Sequence, residues 1–350
     1  MGIYYAIFAA VFTFICIGGI LGGDKKIIFF FSVTTCILFI FISTIRWERG
    51  TDWTSYYEIY QATSVEGICN SFYCLGVEPG FYLINWMFSS TVEYNYFLFL
   101  IAISIIPIKF IFFNKHSNYP LMAILLYFCF LLGDIFPVRQ SLACSLALLY
   151  FMTYRKHKIC SWLFLLAALS IHYSSLLFFI TLWFFSKEKL PGRKVSLMLI
   201  LGGGVLFLVI QYPPAILASR INDYIIDKKV YSEAITPMRN ILKCTDQLTL
   251  LLISYLLMKK SLVDSRICRL AICGSVLSIV ATILSPQLAR LSLFFIPFQI
   301  VCISSIFLLY CKKSRSIIFP LVIFYGFIKL NLIIYPFYDL FIPFNSQIFK

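Results

Sequence analysis

Apolar runs of about twenty residues, each long enough to cross the ~30 Å hydrocarbon core of a bilayer as a helix, recur from one end of this chain to the other. They fall at residues 1–21, 27–45, 94–113, 119–153, 159–186, 195–211, 241–258, 267–284, 288–311 and 317–335. The runs are continuous and do not alternate residue by residue, which excludes a β-barrel. Run 1–21 has no basic n-region and no small-residue cleavage site, so it reads as a retained span. Two of the runs are interrupted. Gly, Asp and Pro in GDIFPVRQ (133–140) predict a tight turn at which two short spans meet. Run 159–186 carries His172 near its middle. FYLINWMFSS, starting at Phe81, is too short to cross and reads as a half-buried interfacial helix.

Composition and charge turn this pattern into a topology. Of 350 residues 61% are hydrophobic and only 13% charged, against about a quarter charged in soluble domains. The expected class is an all-α membrane protein, residues 1–350 forming one polytopic transmembrane bundle. A net charge of +14 invites a nucleic-acid partner, but its distribution follows membrane orientation instead. Lys25, Lys26, Lys109, Lys115, Arg155, Lys156, Lys158, Lys187, Lys189, Arg193, Lys194, Lys259, Lys260, Arg266, Arg269, Lys312, Lys313 and Arg315 mark the cytoplasmic loops and span ends. Only Asp24, Glu188 and Asp264 join them among the acids. The loops before 159 and after 186 are both basic, so 159–186 enters and returns as a hairpin or paired half-helices with His172 at the outer turn. The count comes to about 12 transmembrane helices (10–12), some short or re-entrant, with residues 46–81 as periplasmic loop 1 and 212–240 as periplasmic loop 2.

Loop 46–81, RWERGTDWTSYYEIYQATSVEGICNSFYCLGVEPGF, packs two arginines, an aspartate, four glutamates and a run of Trp and Tyr between apolar stretches. Its charges and irregular backbone have no place in hydrocarbon, so it presents chemistry at one membrane face. Arg139, His172 and Arg290 reach that same face from within apolar runs. An arginine at a helix centre costs about 2.5–3.5 kcal/mol on insertion scales, which predicts a partner or a wet cavity. Together they point to an anionic ligand. Plainer roles remain open. Arg46 and Arg49 are also placed as interfacial anchors, and Asp52 and Glu78 as their ion-pair partners. A histidine on an apolar segment serves equally as a hydrogen-bonded structural residue or as a base. Of the 12 Cys, all but Cys69 and Cys74 lie in or beside spans; those two, in the outer loop, are a candidate disulfide. No metal constellation and no nucleotide loop is visible.

At these residues the chain resembles a known family. RWERGTDWTSYYEIY resembles the R-x-x-x-G-x-D-[aromatic]-x-x-Y signature of the EpsG/O-antigen polymerase (Wzy-like) membrane glycosyltransferases, on Arg46, Gly50, Asp52, Trp53, Tyr56 and Tyr57. Glu78-Pro79-Gly80-Phe81 is similar to its E-x-G-[FY] element, with Asn85 close behind. Arg139-Gln140 resembles its Arg-Gln pair, His172-Tyr173-Ser174 its H-x-S, and Ala289-Arg290-Leu291 its late arginine. Trp53 stands where Tyr is more usual. The resemblance implies a GT-C-like bundle in the bacterial inner membrane with its active site on the periplasmic face. It implies polymerisation of undecaprenyl-pyrophosphate-linked oligosaccharide repeat units without cofactor or metal, among membrane lipids and alongside a chain-length regulator and a flippase. Arg46, Arg139 and Arg290 would bind the diphosphate, for which the planar guanidinium fork is suited. His172 or Asp52 would be the catalytic base. Trp53, Tyr56, Tyr57, Glu78 and Gln140 would shape the loop, with Trp53, Tyr56, Tyr57 and Tyr82 stacking on sugar. An O-antigen ligase, a lipid-linked oligosaccharide flippase or other transporter, and a membrane O-acyltransferase are the alternatives; internal repeats and midplane charges, expected of a transporter, are not seen.

Overall fold

The computed structural model describes residues 2–21, 23–50, 52–65, 77–136, 139–185, 237–284, 288–335, 338–342, 344 and 346. Within them the chain is helical throughout, with no strand and one isolated bridge between Arg46 and Ser346. The helices are α1 (Gly2–Ile20), α2 (Lys25–Ile45), α3 (Trp53–Val65), α4 (Pro79–Ser89), α5 (Tyr94–His116), α6 (Pro120–Leu131) and α7 (Arg139–Thr153). They continue with α8 (Lys158–Ile171), α9 (Ser175–Phe185), α10 (Pro237–Lys259), α11 (Ser265–Leu284), α12 (Ile296–Ser304), α13 (Lys312–Ile334) and α14 (Tyr338–Phe341). Among the described residues six helices are long and apolar enough to cross a membrane: α1, α2, α5, α10, α11 and α13. Their outward faces carry large exposed apolar side chains, such as Phe29, Phe30 and Ile37 on α2 and Ile317, Leu321 and Phe324 on α13. Water does not tolerate such a belt, whereas lipid does. The protein is a multi-pass helical membrane protein.

The remaining apolar helices are short. Helices α6, α7, α8 and α9 have 12, 15, 14 and 11 residues, which at 1.5 Å per residue rise only about 16–22 Å. Two predicted breaks are present: a turn at Leu132–Asp134 joins α6 toward α7, and His172 separates α8 from α9. Helix α6 is buried on every side from Leu121 to Phe130, as a fully apolar helix in a core should be. Because it is short, it delivers its terminal turn to the flank of α5 rather than to that helix's end. Ser145 Oγ donates to the carbonyl of Ile105 and Asp134 pairs with Lys109, both within α5.

Lys109 departs from its expected place at a basic span end. It is fully buried with Asp134, whose carboxylate also accepts from the Tyr127 hydroxyl (2.8 Å) and from Ser141. The short α6 brings the acid to the lysine's depth, and neutralisation in place makes its burial tolerable. Run 288–311, expected as one span, is divided into a 3-10 segment (Leu288–Phe295), α12 and a second 3-10 segment (Ile306–Leu309). Pro297, at the start of α12, donates no backbone N–H and so cannot continue an α-helical ladder from the preceding segment. Loop 46–81 is not all loop, since it holds α3. Run 195–211, loop 2 up to residue 236, and the Cys69–Cys74 pair lie outside the described residues.

Candidate active site

The site grows from Glu78. It stands at the N-cap of α4 with extended backbone (φ −63°, ψ 145°), followed by Pro79 in the first turn, yet its carboxylate does not cap the helix. It reaches away instead. Arg139 Nη1 donates to Oε2 at 2.7 Å, and His172 Nδ1 lies 2.7 Å from Oε1. Gly80 permits this geometry. A Cβ there would fall 2.8 Å from the carbonyl carbon of Ser170, two residues before His172, so only glycine lets α4 seat directly against the end of α8.

Arg139 is the first residue of α7, and the turn before it is gripped from two directions. The buried Arg46 donates from Nη1 to the Phe136 carbonyl at 2.5 Å, and its guanidinium lies 5.5 Å from the centre of that residue's ring. Gly50, at φ +106°, passes so close that a Cβ would meet the same ring at 2.8 Å. The Lys109–Asp134–Ser141 cluster fixes the turn from beneath. His172 is the extended C-cap of α8 (φ −156°, ψ 113°); its N–H donates to Ala168 and its carbonyl accepts from Ser175 N, each near 3 Å. Gln140 Nε2 donates to the Arg290 carbonyl at 2.7 Å, which holds the 3-10 segment beside α7. The Arg290 guanidinium is exposed and makes no ion pair among the described residues.

Electrostatics decides protonation here. Burial alone pushes the Glu78 carboxyl up, but the bond from His172 and the charge of Arg139 outweigh it and hold the group below its ordinary value. Glu78 is therefore ionised at neutral pH and can only accept. The proton of a neutral His172 then sits on Nδ1, leaving Nε2 as the basic nitrogen. Among the described residues nothing bonds to Nε2. Tyr56 completes the cluster. Its hydroxyl faces the backbone amide of Arg139, with Arg290 and Asp52 also within electrostatic reach; burial, the largest effect, raises its pKa. Burial likewise pulls Arg46 down to about 10, which leaves the guanidinium charged at neutral pH.

Arg139, Glu78 and His172 are thus bonded to one another, while Arg290, Gln140, Tyr56 and Asp52 adjoin them. Arg46 lies behind this group, 2% exposed, and holds the turn. Glu78 does not pair with Arg46 or Arg49, the role sequence reading left open for it, because the α4–α8 contact carries it to Arg139. Arg49 donates instead to the Asp339 carbonyl at 2.7 Å. Trp53 and Tyr82 are buried at 5% and 3%, which removes them as stacking platforms; Trp53 stacks on Tyr57, ring centres 5.0 Å apart. Glu78 as partner of both His172 and Arg139 escaped sequence reading. The Pro-Gly after it was the available signal, since it marks a close helix approach. Among the described residues no cluster of three or more His, Cys, Asp or Glu has a metal-holding arrangement.

A family model described as "EpsG family" matches residues 27–346. No curated protein and no solved structure matches the chain.

Proposed function

The chain belongs to the EpsG family, and on that premise we propose that it polymerises O-antigen or exopolysaccharide on the periplasmic face of the bacterial inner membrane. Membership itself carries a glycosyltransferase-like, polysaccharide-polymerase type of function. The finer reading is that lipid-linked repeat units are joined by transfer from an undecaprenyl pyrophosphate carrier, in a GT-C-like bundle of about twelve crossings, with a flippase and a chain-length regulator as partners. The observation that carries it is the Arg139–Glu78–His172 cluster with Arg290 held alongside by Gln140.

In the proposed step a hydroxyl of the incoming unit attacks the anomeric carbon of the growing chain. The bond from that carbon to the phosphate oxygen breaks, and the diphosphate departs with the electron pair. His172 Nε2 accepts the hydroxyl proton, its ring oriented by Nδ1–H donating to Glu78. Arg290 and the outward part of Arg139 offer forked donors to the phosphate oxygens, where charge accumulates as the bond breaks. Arg46 acts at a distance, by fixing the turn that presents Arg139. Asp52 is the second candidate base, half-buried beside Tyr56.

The glycan ladder of a deletion strain tests the reading. A polymerase loss leaves one repeat unit per acceptor, whereas loss of every unit points to the ligase or flippase. In complemented strains, Arg139→Lys and Arg290→Lys keep the charge but lose the fork, and should shorten or abolish the ladder at normal protein levels. Full ladders from both variants would defeat the diphosphate assignment. His172→Ala should slow elongation by about 10²–10⁴, the usual range for loss of a general base. A normal ladder from His172→Ala with none from Asp52→Asn would move the base to Asp52.

A further inference from the structure

Beside the charged cluster, on the other face of α3, lies a separate cavity of about 300 Å³, at the small end of the roughly 300–1,000 Å³ usual for small-molecule sites. Tyr57, Tyr60, Gln61 and Ser64 line it from α3, at the i, i+3, i+4, i+7 spacing that forms one helical face. Tyr56, the neighbour of Arg139, points from a different face of the same helix. Trp47 and Tyr94 supply the other aromatic walls. These rings brace one another: Tyr94 lies 5.1 Å from Tyr57 and 5.2 Å from Tyr60, and the Tyr60 hydroxyl is tied to the Val92 carbonyl at 2.6 Å.

Three polar atoms on residues that line the cavity are buried without a hydrogen-bond partner among the described residues. Tyr94, 5% exposed, has a buried hydroxyl with no hydrogen-bond partner among the described residues. Ser89 Oγ and Asn95 Oδ1, from two more lining residues, are buried and unpartnered in the same way. All three atoms are closed off from the open space of the cavity, so the groups an occupant can reach are the exposed side chains of Gln61, Ser64 and Glu93 together with the aromatic rings. Glu93 and Gln61 add exposed acceptor and donor groups at the margin. Among the described residues no Lys or Arg lines the cavity, and Glu93 repels anions, which argues against a phosphate. Lipid tails would offer no partner to the exposed amide, hydroxyl and carboxylate of Gln61, Ser64 and Glu93. A neutral sugar ring meets both demands, since its C–H faces pack on aromatic walls and its hydroxyls both donate and accept.

We propose that this cavity is a saccharide subsite that holds one or two sugar rings of the repeat unit while the glycosidic end lies at the Arg139–Glu78–His172 cluster across α3. The sugar's identity as a repeat-unit residue rests on the polymerase reading; the subsite itself does not. The test uses the full chain in nanodiscs, titrated by saturation-transfer NMR. The probe is the lipid-free oligosaccharide released by mild acid from the host strain's own lipid-linked intermediate. Gln61→Ala and Glu93→Gln, both exposed positions, should each weaken binding about three- to tenfold, the worth of one hydrogen bond. Arg139→Lys should bind as wild type does, because the probe carries no diphosphate. Wild-type affinity in both cavity variants, or no saturable binding by the wild-type protein, overturns the subsite. Weakened binding in the cavity variants together with loss of every unit in the deletion strain would keep the subsite and refute the polymerase reading.

Discussion

Gly80→Ala isolates what helix packing contributes to the chemistry. The added Cβ would stand 2.8 Å from the backbone carbonyl carbon of Ser170 and 2.8 Å from its Cβ. Comfortable carbon–carbon contacts are about 3.5–4.0 Å, so α4 and α8 must part by about 1 Å. The backbone atom cannot rotate aside. Glu78 leads into α4 and His172 closes α8, so their 2.7 Å contact opens by a similar amount and leaves the hydrogen-bonding range. A misplacement of about 1 Å can cost some 10²-fold in rate, or about 2.7 kcal/mol of transition-state stabilisation. Helix propensity acts in the opposite direction, because alanine favours a helix over glycine by about 1 kcal/mol. Protein levels should therefore hold while activity falls. The assay is elongation of purified lipid-linked repeat units by the protein in nanodiscs, with the cellular ladder in parallel. If Gly80 acts through the Glu78–His172 geometry, Gly80→Ala combined with His172→Ala should be no slower than His172→Ala alone. A wild-type rate for Gly80→Ala, or fully multiplicative losses in the double variant, would refute the reasoning.

Glu78→Gln removes the negative charge and one of the two acceptor oxygens, so the side chain can no longer accept from both His172 and Arg139; a loss of about 10²–10⁴ in elongation rate is expected, measured in the same assay. Because the folded pKa of Glu78 lies below its ordinary value, the ionised form is the one the fold favours. Its contribution to stability is full above the unfolded value of about 4.3 and is lost as pH falls through the folded value. Thermal midpoints in detergent should stay flat from about pH 7 to 5 in this respect and drop below about pH 4, and the Glu78→Gln variant should lose that part of the drop. Lys109→Met or Asp134→Leu strands one buried charge and should destabilise by about 3–5 kcal/mol, while the double variant recovers most of it; chemical unfolding in micelles reads both. Arg46→Lys keeps a charge behind the Phe136 turn but loses the planar guanidinium that both donates to the Phe136 carbonyl and lies against its ring, and should lower elongation while leaving glycan binding unchanged in the NMR titration.

The membrane class, the six long helices, the broken runs at 133–140 and at His172, and the short helix at Phe81 could all be read from the chain alone. They rest on hydrophobic period and on residues such as Pro, Gly and Asp whose backbone effects are local. Membership of the family was legible for a similar reason, because its motif residues lie a few positions apart. What the residues do in those motifs was a question of tertiary structure. Arg46 and Gly50 both close on Phe136, far along the chain, and so serve the turn before Arg139. Glu78 meets His172 and Arg139 because Gly80 admits the end of α8. Lys109 read as one more basic span end, until the short α6 placed Asp134 beside it. Trp53 read as a platform for sugar but is buried among its aromatic neighbours, and the open aromatic cavity lies on the adjacent face of α3. A charge or a ring takes its role from what stands within a few ångströms. In a bundle of helices those neighbours are set by which faces pack, a long-range outcome that no local period records.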